Sequence, residues 1–310
     1  MPLLREPLLA AARSPRLRRV AERSRLTRPV VDRFVAGSSE PDALRTTREL
    51  LDAGLQVTLD FLGEDTTSRT QAQATVAAYT SVLAELAATG SAARAEVSVK
   101  LSAIGQSLPG DGEQIALEGA RQICSAAVQA GTTVTIDMED HTTTDSTLGI
   151  VRALRQDFPW VGAVLQAYLK RTEADCRELA TAGSRIRLCK GAYAEPESVA
   201  FTGAAVDESY IRCLDVLLGG DGYPMIATHD PAMLEAAHRL VIEHGRSSQS
   251  FEFQMLLGIR PEEQRAIVAE GHQMRIYVPY GDEWYGYFMR RLAERPANLT
   301  FFLRSLASKK

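Results

Sequence analysis

The segment RIYVPYGDEWYGYFMRRLAER, residues 275–295, contains the pattern on which the fold of this chain rests. Its first six residues are mostly β-branched, aromatic or apolar, which is typical of a short strand. Gly281 interrupts that run, and an amphipathic helix is predicted after it. The spacing i, i+3, i+4, i+7 places four polar or aromatic residues on one face of this helix: Tyr287, Arg290, Arg291 and Glu294. Two adjacent guanidinium groups repel each other, so the pair indicates either a shared anion, with Glu294 supporting one arginine, or a solvated helix face with ion pairs.

The same strand-then-helix unit recurs along the chain from Gln56 onward. Eight short runs of strand-forming residues are predicted as strands: 56–62, 96–102, 133–139, 162–169, 185–191, 224–230, 250–256 and 275–280. Longer stretches rich in Ala, Leu, Arg and Glu separate them and predict helices: 66–89, 113–130, 145–157, 171–182, 197–218, 231–244 and 261–270.

This alternation predicts an α/β fold, specifically a (βα)8 TIM-type barrel with extra N-terminal helices. No G-x-G-x-x-G follows the first strand, which argues against a dinucleotide-binding Rossmann sheet. We expect an N-terminal helical segment over 1–54, with helices at about 14–36 and 41–53. Ser38 or Ser39 would cap the second of these helices. The barrel would span 55–296 and a C-terminal tail 297–310.

Composition narrows the class of protein. The 310 residues are 45% hydrophobic and 24% charged with a net charge of -4, so nucleic acid is not an expected partner. Four cysteines without a C-x-x-C pair suggest reduced thiols in a cytoplasmic protein. No run is long and apolar enough to suggest a membrane span. The Arg-rich start, 1–33, and the amphipathic tail, 299–310, are candidates for peripheral contact with the membrane, or for lid and capping helices.

Polar side chains mark the predicted carboxyl ends of the strands, where the active site of such a barrel lies. They are Lys100, Asp137, Gln166, Arg187, Lys190, Thr228, His229, Glu252, Gln254 and Tyr277. Together with the arginine pair they make the mouth cationic, so its ligand should be anionic. Lys190 is followed by Gly191 and Ala192, which let backbone approach a bulky anion, and Thr228-His229 precede a helix start that suits phosphate.

Other chemistries remain as alternatives. The five histidines form no H-x-H or H-E-x-x-H motif, so no metal is expected. The acidic run from Asp137 to His141 resembles a metal cluster, but its later part is predicted to be loop. Lys100 or Lys190 could instead form a Schiff base, as in an aldolase or dehydratase. A non-catalytic sensor that binds a flavin or proline is a third possibility.

Seven segments in order along the chain resemble the proline dehydrogenase family: VSVKLSAIG (97–105), VTIDMEDH (134–141), VLQAYL (164–169), RIRLCKGAY (185–193), IATHD (226–230), FEFQMLLG (251–258) and residues 275–295. The resemblance implies an FAD flavoprotein that oxidises L-proline to Δ1-pyrroline-5-carboxylate, the first step of proline catabolism. Hydride would pass from proline C5 to FAD N5, and the electrons then to a membrane quinone. The chain looks like the single-function form, with a separate pyrroline-5-carboxylate dehydrogenase acting downstream.

The resemblance also implies roles at the substrate end of the site. Arg290 and Arg291 would clamp the proline carboxylate, with Glu294 fixing one arginine and Lys100 adding charge on the opposite side. Asp137 would orient Lys100. Tyr277 and Tyr287 would wall the proline ring, which favours proline over hydroxyproline.

At the cofactor end, the resemblance places Met138 and Gln166 against the isoalloxazine and Arg187 near its N5. Lys190, Gly191 and Ala192 would contact the ribityl and phosphate portion, and Thr228 with His229 the pyrophosphate. Glu64, or alternatively Asp65, would pair with Arg187 as a gate over bound substrate. Asp137 and Arg187 are therefore the expected catalytic residues.

Overall fold

Eight parallel strands close into a barrel in the computed structural model, which describes residues 31–63 and 66–288. The strands are β1 (Gln56–Phe61), β2 (Ala95–Val99), β3 (Val134–Ile136), β4 (Gly162–Gln166), β5 (Arg185–Cys189), β6 (Tyr223–Ala227), β7 (Glu252–Leu256) and β8 (Met274–Tyr280). Each strand pairs with the next in the chain, and β1 closes the ring by pairing with β8 from Gln56↔Arg275 to Phe61↔Tyr280. The predicted barrel and its eight strands are confirmed.

The described α-helices are α1 (Glu40–Asp52), α2 (Arg69–Ala88), α3 (Gly112–Ala130), α4 (Thr144–Arg155), α5 (Thr172–Leu179), α6 (Ala204–Gly219), α7 (Pro231–Glu243) and α8 (Pro261–Ala269). Among them, α1 precedes the barrel and the other seven follow β1 to β7 in turn, as the sequence predicts. Local sequence explains several helix starts. Ser39 caps α1 by accepting from the Asp42 amide at 3.4 Å, and Asp230 caps α7, whose first residue is Pro231.

Several strands end earlier than predicted. β3 stops at Ile136 rather than at residue 139. The Glu139 carboxylate accepts hydrogen bonds from the amide and hydroxyl of Ser102, at 3.0 and 2.6 Å. Glu139 and Asp140 lie in the loop after β3, as expected, whereas His141 begins a short 3-10 helix, His141–Thr143. The core lies between strands and helices, and every residue of β2 and β4 is buried, as parallel strands covered by helices require.

The N-terminal side of the described chain packs onto the end of β8. The Ala36 amide donates to the Pro279 carbonyl at 2.9 Å, and the Gly281 amide donates to the Gly37 carbonyl at 3.0 Å. Residues 284–288 are helical, and the Phe34 and Phe288 rings lie 6.2 Å apart. The helix predicted over 14–36 and the tail 299–310 fall mostly or wholly outside the described residues. Within the described part of the chain, no helix combines the length and apolar character of a membrane span.

Candidate active site

Charged side chains fill the amino-terminal half of the barrel interior. We call this set the lower charge layer, and it consists of Glu96, Arg185, Glu252 and Arg275. Arg185 Nη1 lies 2.8 Å from Glu96 Oε2, and Arg275 Nε lies 2.7 Å from Glu252 Oε1. Glu252 was predicted at the mouth, and this prediction is wrong. Glu252 is the first residue of β7, so its side chain lies at the opposite end of the strand.

Glu96 is the centre of this layer. It is 1% exposed and accepts from the hydroxyls of Thr58 and Thr133, at 3.0 and 2.6 Å. Burial by itself would raise its pKa, but the guanidinium groups of Arg185, Arg275 and Arg187 lower it far below the ordinary 4.5. A buried carboxylate is retained here because the chain itself supplies its cations and donors.

A second charged set lies one layer higher, at the carboxyl ends of the strands. We call it the mouth, and it consists of Lys100, Asp137, Arg187 and Tyr277. Arg187 Nη1 lies 2.7 Å from Asp137 Oδ1, and the Tyr277 hydroxyl donates to Asp137 Oδ2 at 2.6 Å. Lys100 Nζ donates to the Tyr277 oxygen at 3.4 Å. The four predicted residues therefore form one connected network.

Among the described residues, Asp60, near the end of β1, is the carboxylate closest to Lys100, and the strand-end pattern did not identify it. Lys100 Nζ lies 2.7 Å from Asp60 Oδ2 but 3.8 Å from Asp137 Oδ2. Asp137 therefore reaches Lys100 as expected, although Asp60 lies nearer to the ammonium group. Burial raises the pKa of Asp60, and the Lys100 ammonium only partly opposes this. The position of Asp60 could have indicated its contact with Lys100. Asp60 is the fifth residue of the first predicted strand, and Lys100 lies near the end of the second, which lies beside the first in a barrel.

Arg187 connects the mouth to the layer beneath it. Its Nε donates to Gln254 Oε1 at 2.6 Å, and Gln254 in turn donates to Glu252 Oε1 at 2.5 Å. Ser98 also accepts from Arg187 Nη1, at 2.9 Å. The guanidinium is thus held in place from several strands, and its orientation is fixed before any ligand binds. Burial, followed by the charge of Asp137, raises the pKa of Tyr277 well above 10, so its hydroxyl stays protonated.

A cavity of about 620 Å³ opens above this network. Lining it are Lys100, Asp137, Met138, Val164, Gln166, Arg187, Lys190, Gly191, Ala192, Tyr193, Thr228, His229, Gln254, Met255, Leu256, Tyr277 and Tyr287, among others. Charged and amide groups stand beside apolar and aromatic walls, which is the usual construction of a small-molecule site. Apart from Glu252, the structure therefore brings together the predicted mouth and cofactor residues that it describes. Met138 lines the cavity together with Asp137 because both follow the end of β3.

Two predicted anion-binding residues already have protein partners. Lys190 Nζ contacts Asp230 at 2.7 Å and Asp207 at 2.5 Å, and these contacts raise its pKa against the effect of burial. His229 Nε2 accepts from the Leu256 amide at 2.9 Å. By contrast, within the described residues the amides of Gly191 and Ala192 donate to no protein acceptor, and both line the cavity. Backbone amides are therefore the better candidates for an anion at this end.

Gly191 is required where it lies. Its φ is +116°, a conformation that L side chains rarely adopt, and an added Cβ would lie 2.3 Å from the Tyr168 ring. The backbone of the loop after β5 consequently passes directly against that ring. Five further predicted site residues fall outside the described parts of the chain: Glu64, Asp65, Arg290, Arg291 and Glu294.

The lysine and metal alternatives can be compared with this geometry. A Schiff-base lysine must lose its proton to attack, whereas Lys100 and Lys190 are both ion-paired to carboxylates. Among the residues that the structure describes, one set of three side chains is close enough to share a metal ion. It comprises His238, Glu270 and His272, none of which lines the cavity.

The fold and the site define a (βα)8 barrel protein with a polar, partly apolar cavity at its catalytic face. The family model described as proline dehydrogenase matches residues 43–304. The chain belongs to the proline dehydrogenase family.

Individual relatives agree with this assignment. "Proline dehydrogenase 1" of Bacillus subtilis is 40% identical over 284 residues, covering 91% of this chain and 92% of the relative. "Proline dehydrogenase" of Deinococcus radiodurans is 38% identical over 307 residues, covering 98% of both chains. A crystal structure of proline utilization A from Bdellovibrio bacteriovorus, inactivated by N-propargylglycine, is similar with a TM-score of 0.78 and 25% identity. That match covers 85% of this chain and 32% of the other.

Proposed function

We propose that this protein is a proline dehydrogenase that uses FAD to oxidise L-proline to Δ1-pyrroline-5-carboxylate and passes the electrons to a quinone. The observation that carries the proposal is the connected network of Lys100, Asp137, Arg187 and Tyr277 at the wall of the cavity. It lies at the strand ends of a barrel in a chain that belongs to the proline dehydrogenase family. The quinone is proposed from the family resemblance.

The substrate end is proposed around Lys100. Its ammonium group is held by Asp60 at 2.7 Å and lies 6.0 Å from the centre of the Tyr277 ring, and the residue as a whole is 8% exposed. A fixed, desolvated cation of this kind suits the carboxylate of proline. We propose that Arg290 and Arg291 hold the same carboxylate from the last helix, with Glu294 supporting them. Tyr277 and Tyr287, both lining the cavity, would confine the proline ring.

The residues at the other end of the cavity fit FAD. The apolar side chains of Met138, Val164 and Leu256 suit an isoalloxazine ring, and the amide of Gln166 is fixed by donating to the Glu139 carbonyl at 2.8 Å. The amides of Gly191 and Ala192, together with Thr228 and His229, are proposed donors to the ribityl and phosphate groups. Lys190 would add positive charge to this end of the site, although its ammonium group is already paired with Asp207 and Asp230.

FAD, when bound, supplies the acceptor for the hydride that leaves proline C5. The chain's own contribution is to hold proline in one orientation and to exclude water from it. Arg187 is proposed to lie at the reacting end of the cofactor, where Gln254 and Asp137 fix its position. Glu64 or Asp65 is proposed to pair with Arg187 and close the site over bound substrate.

The decisive experiment is the visible absorption spectrum of the purified protein before and after anaerobic addition of L-proline. A flavin band that bleaches with proline would support cofactor, substrate and hydride transfer together. A flavin band that persists would direct attention to other imino acids or to a sensor. A colourless protein that FAD cannot reconstitute would contradict the proposal, and trapping of substrate on lysine by borohydride would then support a lyase.

The proposed carboxylate clamp has its own test. Arg290→Ala and Arg291→Ala should each raise the proline KM at least tenfold, because each removes a charge-assisted hydrogen bond to the carboxylate. FAD content should stay unchanged, since the clamp lies at the substrate end. Unchanged proline kinetics in both variants would rule the clamp out.

A further inference from the structure

The loop that follows β5, residues 191–203, forms part of the cavity wall and is fixed at both of its ends. At its start, the Tyr168 amide donates to the Lys190 carbonyl at 2.8 Å. At its far end, the Phe201 amide donates to the Tyr168 carbonyl at 2.7 Å and the Lys170 amide to the Val199 carbonyl at 2.9 Å. The loop therefore lies along the residues after β4 and places Tyr193 in the wall.

Between these ends a single carboxylate points inward. The Glu195 side chain is 3% exposed, although Ala194 and Pro196 on either side of it are exposed. Its Oε1 accepts from the His141 amide at 2.9 Å and from the Tyr168 hydroxyl at 3.2 Å, and its Oε2 contacts His141 Nδ1. An inward carboxylate on an otherwise exposed loop is expensive to bury unless several donors compensate for it. Glu195 has three such partners.

These partners come from different parts of the barrel. His141 follows β3, Tyr168 follows β4 and Glu195 follows β5, so one carboxylate joins three successive loops of the catalytic face. Tyr168 also packs directly against Gly191, where even a methyl group would collide with its ring. Fixing the Tyr168 hydroxyl therefore fixes the surface against which the Gly191 and Ala192 backbone lies.

We propose that Glu195 is a positioning residue for the cofactor end of the site. Glu195 does not line the cavity, so it would act through Tyr168 and His141 by holding residues 191–193 in the conformation that receives the ribityl and phosphate groups. Ordering this wall before binding removes part of the entropic cost of holding the ligand. The proposal rests on the proposed binding of FAD.

The test uses Glu195→Ala with Glu197→Ala as the matched control. Glu197 lies two residues further along the same loop, and its side chain is exposed. The first measurement is the dissociation constant of the complex between FAD and the apoprotein, obtained from the quenching of flavin fluorescence on binding. The second is hydrogen–deuterium exchange of residues 139–142 and 191–203 in the FAD-free protein. The second measurement does not depend on cofactor or turnover.

We expect Glu195→Ala to weaken FAD binding at least tenfold and to accelerate exchange in both segments, while Glu197→Ala matches the unsubstituted protein in both measurements. Glu195→Gln should restore part of the affinity, because its amide oxygen still accepts from the His141 amide and the Tyr168 hydroxyl. If Glu195→Ala does not fold, Tyr168→Phe and His141→Ala remove the partners instead and should each accelerate exchange.

Unchanged FAD affinity in Glu195→Ala would overturn the proposal, and so would equal effects of Glu195→Ala and Glu197→Ala. Failure of the unsubstituted protein to bind FAD would contradict the proposed function instead. The exchange rates of the FAD-free protein would then still decide whether Glu195 holds the three loops together.

Discussion

The lower charge layer and the mouth use the same kinds of residue one layer apart, and they differ in how their charges are balanced. In the lower layer, Glu96 faces three guanidinium groups and several hydroxyls, and none of the four residues of this layer lines the cavity of the mouth. In the mouth, Lys100, Asp137 and Arg187 form part of a cavity wall. The charges of the lower layer are paired with one another, whereas those of the mouth can also interact with a ligand in the cavity.

This difference shows in the direction of two pKa shifts. The cluster of arginines lowers the pKa of Glu96, although burial opposes the shift. Burial raises the pKa of Asp60, which has Lys100 as its nearby cation. Three arginines thus outweigh burial at Glu96, whereas burial outweighs the single ammonium group at Asp60. We expect the first arrangement to serve stability, and Lys100, which lines the cavity, to serve binding. The following experiments test that distinction.

The largest effect is expected from Glu96→Ala, which leaves buried guanidinium groups without their carboxylate. Removing one partner of a buried ion pair typically costs about 3–5 kcal/mol in the free energy of unfolding. Urea denaturation at neutral pH measures it. Glu85→Ala, on the exposed surface of α2, is the control and should change stability by roughly 0.5 kcal/mol or less. A cost as small as that for Glu96 would mean that the lower layer is not a stabilising unit.

Lys100→Met should affect catalysis more than stability. Proline kcat/KM should fall at least tenfold, which corresponds to about 1.4 kcal/mol of lost transition-state stabilisation. The stability cost should remain below that of Glu96→Ala, because Asp60 with its raised pKa can take up a proton when the ammonium group is lost. Steady-state kinetics and urea denaturation of the same preparation provide the comparison. A variant that keeps its proline kinetics would remove Lys100 from the substrate site.

Two tyrosines on β8 offer a smaller, matched comparison. The Tyr277 hydroxyl donates to Asp137 at 2.6 Å, whereas the Tyr280 hydroxyl is buried with no hydrogen-bond partner among the described residues. Tyr277→Phe should therefore cost about 1–3 kcal/mol of stability, because Asp137 loses a donor. Tyr280→Phe should be neutral or slightly stabilising. Thermal or urea unfolding of both variants measures this, and equal effects would contradict the described network.

The smallest effect is expected in how the stability loss of two carboxylate variants, Glu96→Gln and Asp60→Asn, changes with pH. A carboxyl with a lowered folded pKa contributes stability above its unfolded pKa and loses it as pH falls. The stability lost in Glu96→Gln should accordingly grow as pH rises towards 4.5. A carboxyl with a raised folded pKa behaves oppositely, so the stability lost in Asp60→Asn should shrink as pH rises above 3.8. Urea titrations from pH 3 to 6 test the signs, and slopes of the same sign would contradict the assignment.

Much of this molecule follows from its sequence alone. The alternation of strand-forming runs with amphipathic stretches determined a (βα)8 barrel, because parallel strands need a crossover of helical length between them. That fold then placed Lys100, Asp137, Arg187 and Tyr277 at one rim, because the carboxyl ends of all eight strands meet there. The resemblance to proline dehydrogenases rests on seven short segments and their order along the chain, both of which are visible in the sequence.

Tertiary structure decided which charges pair. Glu252 lies in the first half of the predicted strand 250–256, so its distance from the mouth could have been read from the predicted bounds. Local pattern could not show that Arg275 would be the cation it meets. It also could not show that Asp60 lies 2.7 Å from Lys100, or that Glu195 reaches His141 across 54 residues. Such pairs join residues of strands and loops that are far apart in sequence. The distance between their side chains is determined only when the barrel closes.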